Sequence, residues 1–162
     1  MLEKMKMIWQ DAKQLKDERG LTLVELLVVV VILGIIAAIA VVAIGGIIEN
    51  SKKDAMVADA KQMVSAAKLY VASNPNATNL DFITPPATTG GAAVKGKGYE
   101  YISSLKDPFG TGEYTNASVG ITNSSGKYSY TVTLTSTDTK YSYALTPENM
   151  LNKDTLESTT KK

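Results

Sequence analysis

The sequence predicts an α+β fold, in which one long N-terminal helix packs on a small antiparallel sheet of three to four strands. Three observations predict it. Residues 21–48 form an almost wholly apolar run, residues 49–74 show the periodicity of an amphipathic helix, and residues 127–136 alternate between apolar and polar side chains. Packing the apolar face of such a sheet on the amphipathic part of the helix buries both elements.

The chain begins with a charged leader, residues 1–20. The leader holds five of the 17 basic and four of the 16 acidic residues, so 12 basic and 12 acidic residues remain beyond it. This balance produces no strong electrostatic field for nucleic acid, and nucleic acid is therefore not indicated as a partner. The roughly 110 residues that follow the leader and the apolar run are enough for one small domain.

The apolar run at 21–48 predicts a membrane-spanning helix, since a spanning helix needs about 20 apolar residues. Thr22 and one carboxylate, Glu25, interrupt it near its start. A carboxylate costs on the order of 2.5 to 3.5 kcal/mol at the centre of a spanning helix and less near its end, so an opposite charge is expected to pair with it. The basic residues of the leader predict that the N-terminus stays inside the cell.

Residues 20–25 read GLTLVE. This segment resembles the class III leader boundary of type IV pilins and pseudopilins, with Leu21 where phenylalanine is usual. The resemblance implies that a prepilin peptidase cleaves between Gly20 and Leu21, and that Leu21, the new N-terminal residue, is then N-methylated. It also implies that Glu25, the fifth residue of the mature chain, pairs with the terminal amine of a neighbouring subunit, which would offset the cost of its charge.

The resemblance further implies a structural role, that of the major pilin of a type IV pilus-like filament, and not an enzyme. Its partners would be copies of itself, the prepilin peptidase/methyltransferase, an assembly platform protein and a motor ATPase. The precursor would cross the cytoplasmic membrane once with its N-terminus inside, and the assembled filament would lie at the cell surface. Within the span, Gly34, Ala37 and Ala38 would let neighbouring helices pack closely, because small side chains permit close approach.

Other interpretations of the N-terminal segment stay open. A major pseudopilin of a type II secretion system and a competence pilus subunit would have the same leader boundary. A secretory signal peptide would be cut after Ala38-Ile39-Ala40, but the apolar region of such a peptide, about 7 to 15 residues, is shorter than this one. From a different class, a single-pass anchor that presents a small binding domain would retain residues 1–20.

Residues 49–74 predict that the helix continues beyond the membrane. Apolar side chains recur there at helical spacing along one face. They are Ile48, Met56, Ala60, Met63, Ala67 and Tyr70 or Val71. Asn74-Pro75 should end the helix at about Ser73, because the residue before a proline avoids the helical conformation.

Residues 75–98 are rich in Asn, Pro, Thr, Ala and Gly, which predicts a long connecting loop. Residues 99–162 are predicted to form the sheet and a polar C-terminal tail. The main strands are expected at 127–136 and 139–145, joined as a hairpin, with weaker strands at 99–103 and 117–122. Thr146-Pro147 predicts the start of a short helix, with the threonine as its cap and the proline at its first position.

Catalytic chemistry is not indicated. The sequence contains no His and no Cys, so it offers no imidazole base and no thiolate, and it predicts no bound cofactor. Calcium alone is left open, because Asp107-Pro108-Phe109-Gly110 resembles the D-P-W-G segment of major secretion pseudopilins, where nearby loop residues hold that ion. Asp107, Glu113 and Asp138 are the candidate oxygen ligands, and a simple turn is the competing interpretation.

Overall fold

The computed structural model describes residues 1–87, 92–138 and 140–158, except for the side chains of residues 14–21 and 157–158. One long helix is followed by a series of antiparallel strands, which confirms the predicted α+β class. The chain divides into two compact units, residues 1–48 and 49–162. The division falls at the same place as the change from an apolar to an amphipathic sequence.

Helix α1 spans Leu2–Ser73 and ends where the sequence predicted. At its C-terminus, the Asn74 backbone N–H donates to the Tyr70 carbonyl oxygen at 2.9 Å and the Asn74 side-chain amide donates to the same oxygen at 3.1 Å. These two bonds satisfy the carbonyl oxygen of Tyr70, which lies in the last turn, where carbonyl groups lack partners within the helix. The helix also includes residues of the leader, for which the sequence analysis had made no structural prediction.

The first unit has no core of its own among its described residues. From 22 to 48 the side chains are exposed, except that of Ala40, which is half-buried. Among the described residues, one helix segment, within Thr22–Ser73, is long and apolar enough to cross a membrane, and none of its apolar window is buried. A helix that is apolar on all sides requires lipid or other protein chains around it.

Within its described residues, the second unit contains an antiparallel sheet of six strands in the order β2-β1-β3-β4-β5-β6. Four strands have six to nine residues, and the two at the edges have only two residues each. Their bounds are β1 Asn79–Thr84, β2 Val94–Lys95, β3 Asn116–Ser124, β4 Lys127–Thr135, β5 Tyr141–Pro147 and β6 Glu157–Ser158. The predicted count of three to four strands was therefore too low.

The predicted loop at 75–98 was wrong in part, because β1 and β2 both lie within it. Strand β1 buries Leu80, Phe82 and Ile83 in the core and pairs with β3. The Pro- and Gly-rich residues around this short strand obscured it in the sequence. Its stability depends on the distant partner strand, which local composition does not reveal.

Two further predictions need correction. The weak strand expected at 99–103 is instead part of a 3₁₀ helix, Lys97–Tyr101. The helix expected to start at Thr146-Pro147 is a single 3₁₀ turn, Glu148–Met150. Both Thr146 and Pro147 still belong to β5, where they pair with β4, so the threonine does not cap a helix. The start of the predicted strand at 139–145 falls on residue 139, which lies outside the described residues.

The core of the second unit lies between α1 and one face of the sheet. The predicted helix face is confirmed at Met56, Ala60, Met63 and Ala67, all of them fully buried, whereas Ile48 is exposed. Every fully buried hydrophobic side chain of the described residues lies between positions 56 and 156. The second unit therefore has a complete hydrophobic core within its own sequence.

Candidate functional site

The N-terminal unit presents a single carboxylate on an otherwise apolar helical surface. Glu25 is exposed, and its neighbours Leu23, Val24, Leu26 and Leu27 are each more than 60% exposed. In lipid, such a carboxylate lacks the water that would solvate it, so a cationic partner stabilises it. The geometry of α1 leaves Glu25 accessible to such a partner.

The small residues of the span lie on the opposite side of the helix from Glu25. Gly34, Ala37 and Ala38 follow the i, i+3, i+4 spacing and share one face. Gly34 is nine residues from Glu25, which is about two and a half helical turns and therefore close to half a rotation. A Cβ placed on Gly34 would contact no other described atom within 4 Å. The segment therefore offers two separate contact surfaces, one charged and one flat and apolar.

The predicted cleavage site lies within α1, one turn before Glu25. Gly20 and Leu21 are among the residues whose side chains are outside the description. Along an α-helix, four residues correspond to a rise of about 6 Å. A terminal amine created at Leu21 would therefore lie about one helical turn from Glu25, near the same end of the apolar span.

Comparison with known protein families decides what this segment is. Residues 15–41 match the family described as the prokaryotic N-terminal methylation motif. The segment is a class III prepilin signal. The match extends over Gly20, Leu21 and Glu25 as well as the small-residue face of the helix.

The prepilin signal supports a type IV pilin-like or pseudopilin precursor, which is a structural protein. It implies processing by a prepilin peptidase and assembly into multimeric filaments. Together with the exposed apolar helix, it fits a membrane-anchored precursor. No curated protein and no solved structure matches the chain.

The DPFG segment, residues 107–110, is held in place by hydrogen bonds from the protein itself. Asp107 is buried, with 5% of the residue exposed. Its carboxylate accepts from the Ser136 hydroxyl at 2.8 and 3.0 Å, from the Thr137 backbone N–H at 2.5 Å and from the Phe109 backbone N–H at 2.9 Å. A Cβ on Gly110 would come within 2.7 Å of this carboxylate, so the tight approach requires glycine. Asp107 thus links the loop at 107–110 to the residues that follow β4.

The other two candidate calcium ligands also have protein partners. Glu113 forms an ion pair with Lys95 at 2.8 Å, and the Lys95 hydrogen bond is the main reason that the pKa of Glu113 is lowered. Asp138 accepts from the Lys140 backbone N–H at 2.9 Å, and it lies 3.0 Å from the Ser136 hydroxyl as an alternative acceptor to Asp107 for the single hydrogen of that group. In the part of the chain that the structure describes, no group of three His, Cys, Asp or Glu residues could hold a metal ion. The geometry thus favours the turn interpretation of the DPFG segment.

The half-buried carboxylate of Asp59 on α1 contacts Tyr114, which lies just before β3. Both residues belong to the second unit, residues 49–162, which is called the sheet domain below. The Tyr114 hydroxyl donates to Asp59 at 2.7 Å. Asp59 lies outside the apolar span, and its pKa is raised mainly by burial, an effect that the Tyr114 hydrogen bond partly opposes. Burial and the Asp59 charge raise the pKa of Tyr114. Helical spacing alone could not predict this contact, because Tyr114 is 55 residues away in sequence.

A second set of contacts joins α1 to the start of β5, at the point where the sheet domain begins. Glu49 accepts from the Tyr141 hydroxyl and from the Lys140 ammonium group, the latter at 3.1 Å. The Lys53 ammonium group lies 3.8 Å from the same carboxylate oxygen and 4.6 Å from the centre of the Tyr141 ring. These contacts hold the amphipathic helix on the sheet immediately after the apolar run ends. Because the partners are about 90 residues apart in sequence, no local motif could have predicted them.

Proposed function

We propose that this protein is the major pilin of a type IV pilus-like filament and assembles through its N-terminal helix. The observation that supports this most directly is the prepilin signal at residues 15–41. The signal overlaps the part of α1 that is exposed and apolar through residue 48, and a small domain with its own core follows. A filament subunit needs these three parts: a processing site, an apolar helix for the filament axis and a folded domain for its surface.

Leader removal between Gly20 and Leu21 would create the charge that Glu25 needs. The new terminal amine is a cation about 6 Å along the helix axis from Glu25. In an adjacent subunit shifted by about one helical turn, the Glu25 carboxylate would lie beside this amine, and the pair would offset the cost of both charges in a low-dielectric environment. Methylation of Leu21 would keep that amine basic.

The two opposite faces of the span suggest that each helix contacts more than one neighbour. The face with Gly34, Ala37 and Ala38 permits close helix packing, while Glu25 on the other side pairs with a second subunit. Because the filament core is about as apolar as lipid, moving the helix from one to the other changes little hydrophobic free energy. A motor ATPase and a platform protein would drive the extraction of the helix.

Intact mass spectrometry of the chain, from filaments sheared off cells and separately from membranes, tests the proposal. A chain that begins at methylated Leu21 in the sheared fraction is the expected result. An uncut chain, or one cut after Ala40, contradicts it.

Substitutions of Glu25 test the charge pair. Glu25→Gln keeps the size of the side chain and removes its charge, and should block filaments while membrane insertion is unchanged. Glu25→Asp keeps the charge and should retain part of the assembly. Normal filaments from the Gln variant would refute the pairing role.

A secretion pseudopilin is the second candidate, favoured by the resemblance of residues 107–110 to the pseudopilin segment. The processed chain would then remain in the envelope and be absent from the sheared fraction. A competence pilus subunit would show the same processing and would differ in supporting DNA uptake. A single-pass anchor with a binding domain would retain residues 1–20 in every fraction.

A further inference from the structure

The leader forms an amphipathic helix whose apolar face has no partner among the described residues. Leu2, Met5 and Trp9 follow the i, i+3, i+7 spacing and lie on one side of α1, with Ile8 beside them. Each of these side chains is 69 to 79% exposed. Such an arrangement of large apolar side chains indicates a surface that another apolar phase covers.

Charged groups are distributed unevenly around this helix. Lys6 and Lys13 line the same groove as Leu2, Met5 and Trp9, and the Lys13 ammonium group lies 5.3 Å from the centre of the Trp9 ring. Within residues 1–13, the two acidic residues are on the other side of the helix: Glu3 and Asp11 lie four residues before and after Met7, which faces away from Met5 and Trp9, and Lys4 lies on that side with them. An apolar face with Trp at its centre and lysines along its border is typical of helices that lie in a membrane interface.

We propose that the leader of the uncut precursor lies along the anionic surface of the membrane, with Trp9 and its neighbours among the lipid headgroups and Lys6 and Lys13 against lipid phosphates. The occupant is a membrane because the chain itself holds the leader there: α1 continues from Trp9 into the apolar span within about 13 residues. At 1.5 Å per residue, this keeps Trp9 within about 20 Å of the start of the span, and Leu2 within about 30 Å. Gly20 lies between the two segments, where a helix bends at low cost.

This arrangement would hold the peptide bond between Gly20 and Leu21 at the membrane boundary, where a membrane-embedded peptidase can reach it. The inference rests on the proposed function in one respect only, which is that the leader lies on the inner side of the membrane. Binding of the leader to lipid does not require filament assembly, so the two ideas can fail separately.

The chain contains its own probe, because Trp9 is the single tryptophan of the sequence. The full-length precursor is placed one copy per nanodisc, with either an anionic or a zwitterionic lipid. Quenching of Trp9 fluorescence by lipids brominated near the headgroup, and protection from iodide in water, measure how much of the leader lies on the bilayer. We expect strong lipid quenching and iodide protection in anionic discs, reduced by added salt.

Two pairs of variants separate surface binding from general effects. Met5→Gln should lower lipid quenching severalfold, whereas Met7→Gln, the same change on the opposite face, should leave it unchanged. Replacing Lys6 and Lys13 together with Gln should lower the ratio of bound to free leader roughly 25-fold, at about fivefold for each lysine near an anionic surface. Replacing Lys61 and Lys106 with Gln removes the same charge from exposed positions in the sheet domain and should have no effect.

Three results would overturn the proposal. The first is a Trp9 that iodide quenches equally in anionic and neutral discs. The second is a Trp9 that is protected from iodide without quenching by brominated lipid, since protein rather than lipid would then cover it. The third is protection that arises only when the peptidase or a second copy of the chain is added.

Discussion

Replacing Asp107 with alanine should destabilise the sheet domain far more than any neighbouring surface substitution. The change removes one acceptor that serves three donors, the hydroxyl of Ser136 and the backbone N–H groups of Thr137 and Phe109. A buried donor that loses its partner costs about 1 to 3 kcal/mol. Ser136 is fully buried but can still donate to Asp138, and water can reach the other two donors in part, so we expect a total of about 3 kcal/mol.

The measurement is urea unfolding of a fragment of residues 49–162, followed by far-UV circular dichroism at pH 7. This fragment includes the whole buried core of the described chain and lacks Trp9, so backbone signal is the suitable probe. With a urea dependence of about 1.5 kcal/mol per molar, the midpoint should fall by about 2 M. Asp138→Ala is the matched control, because Asp138 is exposed and water can replace it; its cost should be under about 1 kcal/mol.

The result that refutes this reasoning is an equal loss of stability in the two variants, or a loss below about 1 kcal/mol for Asp107→Ala. Either outcome would mean that the carboxylate does not hold the loop through the bonds described above. An outcome near 3 kcal/mol would show that this chain, which has no cysteine, closes residues 107–137 by hydrogen bonds around one buried charge.

Three further results are expected. Gly110→Ala should lower the unfolding free energy by about 1 to 3 kcal/mol, because the new Cβ would approach Asp107 to 2.7 Å. Gly112 has open space around it, so Gly112→Ala should change the unfolding free energy by less than about 0.5 kcal/mol in the same urea assay. Equal losses in the two variants would contradict this prediction. Asp59→Asn should stabilise the domain at pH 7 and not at pH 3. Burial raises the pKa of Asp59, so the stability that its neutral form contributes is fully present below the unfolded-state pKa and is lost as the pH rises through the folded-state pKa, whereas Asn stays neutral at both pH values. A gain in stability that persisted at pH 3 would refute this cause. Calorimetric titration of the domain with calcium should show no heat of binding, since the carboxylates of Asp107, Glu113 and Asp138 already have protein partners. A saturable heat of binding together with a raised melting temperature would favour a calcium site over a simple turn at residues 107–110.

The features that could be read correctly from the sequence depend on consecutive residues. The prepilin signal is a pattern within about 27 consecutive residues, and its recognition requires no contact with a distant part of the chain. The end of α1 follows from Asn74-Pro75, and β4 follows from strict alternation of apolar and polar side chains, with Val132 and Leu134 buried as that alternation requires. Residues near in sequence determine these features, so the tertiary contacts of the folded chain did not change them.

Features that depend on residues far apart in sequence were decided only by the folded chain. Strand β1 lies in a segment with loop-like composition and exists because β3, more than 30 residues later, supplies its hydrogen bonds. The hydrogen bond between Tyr114 and Asp59 joins residues 55 positions apart, and the bonds from Ser136 and Thr137 to Asp107 join residues about 30 positions apart. The physical reason is the same in each case: a hydrogen bond or a strand pair is specified by two partners, and the local sequence shows only one of them.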